Sequence, residues 1–185
     1  MNIQGYLATL KNIQDNLLAF LESEDDFNDT FHQFTNFLTE QHVGNEILKD
    51  FLNLISKVSM NHQRTTNFIM KIENILTFLK NDINSKISNL SLFNTFQYNK
   101  RILFFLFKNK FLNLDEYIYD HLIKEHNYTD YFQPELISYQ TKKNIEDAKF
   151  DELREQGENH NYLCELIRND SVEEFITYSH KQNLS

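Results

Sequence analysis

Hydrophobic positions recur along this chain at three- and four-residue spacing, the period of an amphipathic helix. Ile3, Tyr6, Leu7, Leu10, Ile13, Leu17 and Leu21 form the first stripe, and the acidic run Glu22 to Asp26 closes it. Those charges suit the start of a following helix, whose positive dipole end favours anions. That helix carries Phe27, Phe31, Phe34, Phe37 and Leu38. Beyond Gly44 a third stripe runs through Ile47, Leu48, Phe51, Leu52, Ile55 and Val58. A polar turn at 61–67 precedes a fourth, with Phe68, Ile69, Ile72, Ile75, Leu76 and Leu79 on its buried side. Asn81 to Ser85 reads as a polar break, and Ile87, Leu90, Phe93 and Phe96 as a shorter helix.

The run from Ile102 to Phe107 is apolar all round. As a helix it must be enclosed on every side, so Phe104, Leu106 and Phe107 are expected among the most buried residues. Asn113-Leu114-Asp115 starts a helix bearing Tyr117, Ile118, His121, Leu122 and Ile123, and Pro134 opens a short one, being tolerated in a first turn. Thr141 to Glu155 is strongly charged, and Gly157 suits a left-handed cap, which predicts a solvated connecting helix over 141–157. Two short helices follow. Tyr162, Leu163, Leu166 and Ile167 share one face, and Asn169-Asp170 turns the chain. Ser171 with Glu174 makes a capping box for a second helix with Val172, Phe175 and Ile176. Neither is long enough to stand alone, so the pair must stack on something, as units of repeat proteins do. The pattern predicts an all-α fold, an array of antiparallel helical hairpins. It divides into a helical body at 1–140, the charged connector at 141–157 and a terminal hairpin at 158–185.

Composition agrees. Three Gly and one Pro in 185 residues leave few turn residues for β-folds, while 17 Phe and nine Tyr supply an aromatic core. The single cysteine, Cys164, allows no internal disulfide and fits a reducing, intracellular and cytoplasmic setting. Against 18 basic residues stand 27 acidic ones, a net charge of −9 that opposes nucleic-acid and anionic-membrane binding. No basic and apolar leader opens the chain, and Ile102–Phe107 is too short to cross a bilayer. The glycosylation tripeptides at Asn28, Asn89, Asn127, Asn169 and Asn183 then read as coincidences of an Asn-rich sequence.

Candidate chemistry is sparse. His121 and His126 are five apart and fall on different helix faces, and no His-Glu-x-x-His occurs, so no metal ligands are assigned. Asn61-His62-Gln63-Arg64 suits turn and cap chemistry. Cys164 lies among Leu163, Leu166 and Ile167, the setting of a buried structural thiol, although His160 is four residues away. Lys100, Arg101, Lys108 and Lys110 bracket the Phe-rich run with stems that can cover apolar surface. The run Glu22-Ser23-Glu24-Asp25-Asp26 lacks the spaced oxygens and Gly of a calcium loop. Catalytic and cofactor-binding residues are likewise assigned nowhere.

One stretch resembles a known family. Gly157-Glu158-Asn159 and the segment Tyr162 to Ile176 resemble the lead into the ankyrin array in a large family of protist ankyrin-repeat proteins with an associated domain of unknown function. Asn61-His62-Gln63-Arg64, Lys71 to Leu76 and Asn99-Lys100-Arg101-Ile102-Leu103 are similar to the same family. The resemblance implies an all-α body before ankyrin repeats, with 158–185 as the first ankyrin-like hairpin and further repeats after Ser185. It also implies a non-enzymatic scaffold for protein–protein interaction, without cofactor or catalytic residues to carry across. The Thr-Pro-Leu-His turn of well-formed repeats is missing. Two other classes compete: an enzyme in which His62, Arg64 and Asp115 converge in a pocket, and a structural oligomerisation domain.

Overall fold

A computed structural model describes residues 3–41, 45–61, 66–124, 126–143, 145, 148–155 and 171–181. Among these every regular element is a helix. The stripes become α1 (Ile3–Glu22), α2 (Phe27–Glu40), α3 (Asn45–Asn61) and α4 (Thr66–Phe78). After them come α5 (Lys80–Lys86), α6 (Asn89–Phe96), α7 (Lys100–Lys108) and α8 (Glu116–Lys124). The remainder are α9 (His126–Thr129), α10 (Gln133–Thr141), α11 (Ala148–Glu155) and α12 (Val172–Lys181). Backbone contacts divide the chain into two compact units, Met1–Leu122 and Ile123–Ser185.

In the first unit α1 packs on α2, α3 and α4, α3 on α4 and α6, and α6 on α7. The helices give the core many of the residues their spacing selected, although Leu90, Tyr117 and Ile123 are exposed. Ile13 and Leu17 of α1, Leu48 and Ile55 of α3, Ile72 and Ile75 of α4 and Phe93 and Phe96 of α6 are all fully buried. Enclosure of these side chains, at about 1.5–3 kcal/mol each, is the main force holding the unit together. At the start of α1 the stripe outruns its neighbours, and Ile3 and Leu7 stay exposed.

A polar chain is threaded through this core. Asn99 caps α7 by accepting from the Ile102 amide at 3.1 Å, and its Nδ2 donates to Ser59 Oγ at 2.9 Å. Ser59 Oγ donates to the Ser56 carbonyl at 2.8 Å, and Ser56 Oγ to the Thr95 carbonyl at 2.6 Å. The buried amide thereby has partners at both ends, the condition for a polar group in a core to be tolerated.

Three readings of the sequence change. Asn81 to Ser85 is not a break but the body of α5, because Ile83 is fully buried and anchors the turn. The run Ile102–Phe107 is not enclosed all round. Ile102, Leu103, Phe104 and Leu106 are buried, whereas Phe105 and Phe107, two residues and so about 200° apart on the helix, are half-buried. Apolar side chains are common at protein surfaces, and a ring that is partly exposed carries no large penalty. The third change concerns the connector. α10 ends at Thr141 with Lys142 in the left-handed conformation, and a new helix begins at Ala148, so no continuous helix spans 141–157.

Lacking glycine, the chain ends α7 in the same way as α10. Lys110 has φ 58°, its amide donates to the Phe107 carbonyl at 3.0 Å, and the Phe111 amide donates to Leu106 at 2.9 Å. This is the Schellman closure, completed by Phe111 packing on Phe105 at 5.8 Å between ring centroids. A side chain in that conformation costs roughly 1–2 kcal/mol that glycine avoids, less the larger backbone entropy glycine loses on folding. Lys110→Gly is therefore expected to stabilise the protein by roughly 0.5–1 kcal/mol in urea denaturation. A destabilised variant would show that the lysine side chain contributes more than its backbone geometry costs.

Candidate functional site

The most unusual electrostatic feature is a lysine to which the sequence pattern gives no place in the buried stripe. Lys71 follows Phe68 by three residues and precedes Ile75 by four, so α4 carries it to its buried face, where it is 3% exposed. Its ammonium donates to the carbonyls of Phe20 at 3.0 Å, Leu21 at 3.3 Å and Ser23 at 2.7 Å. It also lies 5.2 Å from the centre of the Phe20 ring. Those carbonyls belong to the end of α1, where peptide acceptors lack intrahelical partners and the dipole is negative. Burial pushes the amine below the ordinary lysine value. A lysine so lowered can serve as a nucleophile or base elsewhere. Here each hydrogen is directed at a carbonyl, and the group acts as a helix cap.

A second buried cation organises the second unit. Arg154 of α11 donates to Glu135 of α10 at 2.8 Å, to Asp151 and to the Tyr131 carbonyl at 3.0 Å. The centre of the Phe150 ring lies 4.9 Å from its guanidinium carbon. Burial opposes its charge, but Glu135 and Asp151 outweigh that and raise its pKa. At 3% exposure it is a structural tie in a segment expected to be solvated throughout.

Other titratable groups are similarly engaged. The Tyr6 hydroxyl donates to Asp50 of α3 at 2.5 Å. That bond, with burial and the charges of Asp50 and Glu46, pushes its pKa up to about 12. Asp26 caps α2 by accepting from the amides of Asn28 at 2.9 Å and Asp29 at 3.1 Å. Asp115 caps α8 through the Ile118 amide at 3.0 Å, while its other oxygen accepts from Asn89 at 2.8 Å. In the convergence of His62, Arg64 and Asp115, the first two lie outside the described residues, as do His160, Cys164 and the resembling segment from 157 to 170. His121 stands edge-on to Phe93 at 5.2 Å, at the margin of the core. Of the basic residues bracketing α7, Lys108 sits 5.6 Å over the Phe104 ring and Arg101 reaches Glu73 at 4.0 Å. Among the described residues, no three His, Cys, Asp or Glu side chains gather as metal ligands, and no helix is long and apolar enough to cross a membrane.

One groove of about 380 Å³ lies between α3 and α6. Lys49 and Asn53 line one side, and Ser88, Ser91, Asn94 and Thr95 the other. Its hydroxyls and amides can hydrogen-bond a polar guest. Lys49 is its one ionisable group, and none of the others can exchange a proton near neutral pH.

Two expectations follow from these contacts. Lys71→Met keeps the volume but removes the donors from three carbonyls, and is expected to cost about 1–3 kcal/mol in urea denaturation. Unchanged stability would mean that removing a buried charge compensates fully. For Tyr6 the folded pKa lies above the unfolded one, so its stabilisation is fully present below pH 10 and is lost as pH rises through about 12. The stability difference between the parent and Tyr6→Phe should therefore be flat below pH 10 and close between pH 10 and 12. A difference that persists at high pH would detach it from this hydroxyl.

No family model, curated protein or solved structure matches the chain.

Proposed function

We propose that this chain is a non-enzymatic helical scaffold, built as antiparallel hairpins, that works through protein–protein contact. In this reading α12 is the second helix of a first ankyrin-like hairpin. The observation that carries it is the face of α12. Val172 and Ile176, four residues apart, are 58% and 49% exposed, so one turn-to-turn apolar pair is offered to solvent. Apolar positions at this spacing are what a neighbouring helix uses to stack. Lys71, Arg154 and Asp115 support the reading, since each is engaged with backbone or carboxylate partners that fix helices.

A photo-crosslinking phenylalanine analogue at Ile176, irradiated in native lysate, tests this directly. A discrete protein adduct is expected, and Val172→Asp in the same chain should remove it while helix content is unchanged. Absence of any adduct, or one indifferent to Val172→Asp, would overturn the proposal. An adduct only with a second copy of the chain would instead establish an oligomerisation domain.

A further inference from the structure

The first unit carries a surface whose composition specifies a partner. Phe20 is buried and stacks on Phe34 with ring centres 5.2 Å apart. From it a ladder of rings leads outward: Phe20 to Phe27 at 6.2 Å and to Phe31 at 6.0 Å, and Phe27 stacked on Phe31 at 5.5 Å. Phe78 of α4 closes the ladder edge-on to Phe31 at 6.4 Å. Phe27 and Phe31 are half-buried, and Phe78 is 45% exposed. Three aromatic rings from two helices thus form one contiguous apolar surface, anchored by a fourth in the core.

The segment that leads into it is acidic. Residues 12–40 contain seven acidic side chains and neither Lys nor Arg. Among them Glu22 at the end of α1 and Glu24 on the loop that leads to Phe27 are exposed. α4 has a single basic residue, Lys71, and its ammonium is turned inward onto the α1 carbonyls. The exposed rings therefore lie in the negative field of that segment, and the one Lys or Arg of α2 and α4 stands on their inner side, at Phe20.

We infer that the Phe27–Phe31–Phe78 surface docks a basic amphipathic helix of another protein. Apolar side chains at helical spacing would cover the rings, and Lys or Arg on the flank would meet Glu22 and Glu24. Cations also gain from the faces of exposed rings. The same field repels acidic helices, nucleic acid and anionic lipid, so charge supplies selectivity and apolar contact supplies affinity. This inference rests on the protein-contact reading above and names a surface and partner class for it.

The test uses the full chain and three labelled synthetic helical peptides, measured by fluorescence anisotropy. One has a Leu/Phe stripe flanked by Lys, the second the same stripe flanked by Glu, and the third the Lys flanks with Ser in place of the stripe. The first is expected to bind, and the other two at least roughly tenfold more weakly. Phe78→Ser should weaken the first peptide roughly tenfold or more, as loss of an aromatic anchor does. Glu22→Gln with Glu24→Gln should reduce its affinity and flatten its salt dependence. Tyr117→Ser, at an exposed aromatic of α8, should leave binding unchanged. Equal loss in Phe78→Ser and Tyr117→Ser, or equal binding of the Lys/Ser peptide, would overturn the inference. So would self-association abolished by Phe78→Ser, which would assign the surface to a second copy. The Ile176 adduct separates the two readings: if peptide binding fails while the adduct persists, only this surface is wrong.

Discussion

The capping of α1 by Lys71 sets how the helices of the first unit are placed once apolar burial holds them together. The end of a helix leaves carbonyls that must find donors, and here two of them belong to the buried residues Phe20 and Leu21. Lys71 supplies the donors from a helix some fifty residues further on. In doing so it fixes the distance between α1 and α4 and sets Phe20 at the head of the ring ladder. A desolvated ammonium is costly alone, and three carbonyls with the helix dipole behind them offset much of that cost. The arrangement also explains an apparent conflict in the sequence, where a lysine interrupts an otherwise apolar stripe.

Arg154 repeats the device with a different donor. A guanidinium presents a planar fork, which lets one side chain meet Glu135, Asp151 and a backbone carbonyl together beside the Phe150 ring. The second unit has few buried apolar side chains among its described residues, chiefly Phe132 and Leu136. A charged tie carries correspondingly more of its definition. Such a tie confers geometry more than net stability, because desolvation consumes much of the Coulomb gain.

How much of this was legible beforehand depends on whether a feature is local. Helical spacing located α1 to α4 closely, because an apolar stripe is a property of consecutive residues. Asn81 to Ser85 misled because polar composition signals a turn, whereas a single buried Ile83 suffices to extend the helix. Phe105 and Phe107 misled because hydrophobicity was equated with enclosure. Lys71 could have been found: a lone charge at a stripe position predicts a buried partner, though not which one. Arg154 could not, since Glu135 lies nineteen residues back and no periodicity links them. The acidic bias of 12–40 was visible in part, as the run Glu22–Asp26, but its meaning depends on rings that only the fold brings together.

The polar thread through the core has a further consequence. Leucine and phenylalanine surfaces tolerate sliding, since one apolar contact replaces another at similar energy. The bonds from Asn99 to Ser59 and from Ser56 to the Thr95 carbonyl do not, because each joins one donor to one acceptor at one height along α3. A displacement of α6 by one helical turn, about 5.4 Å, would part both pairs. The thread therefore works as a vernier. It selects one register from many that the greasy surfaces alone would accept, and makes the position of α6 against α3 discrete instead of continuous.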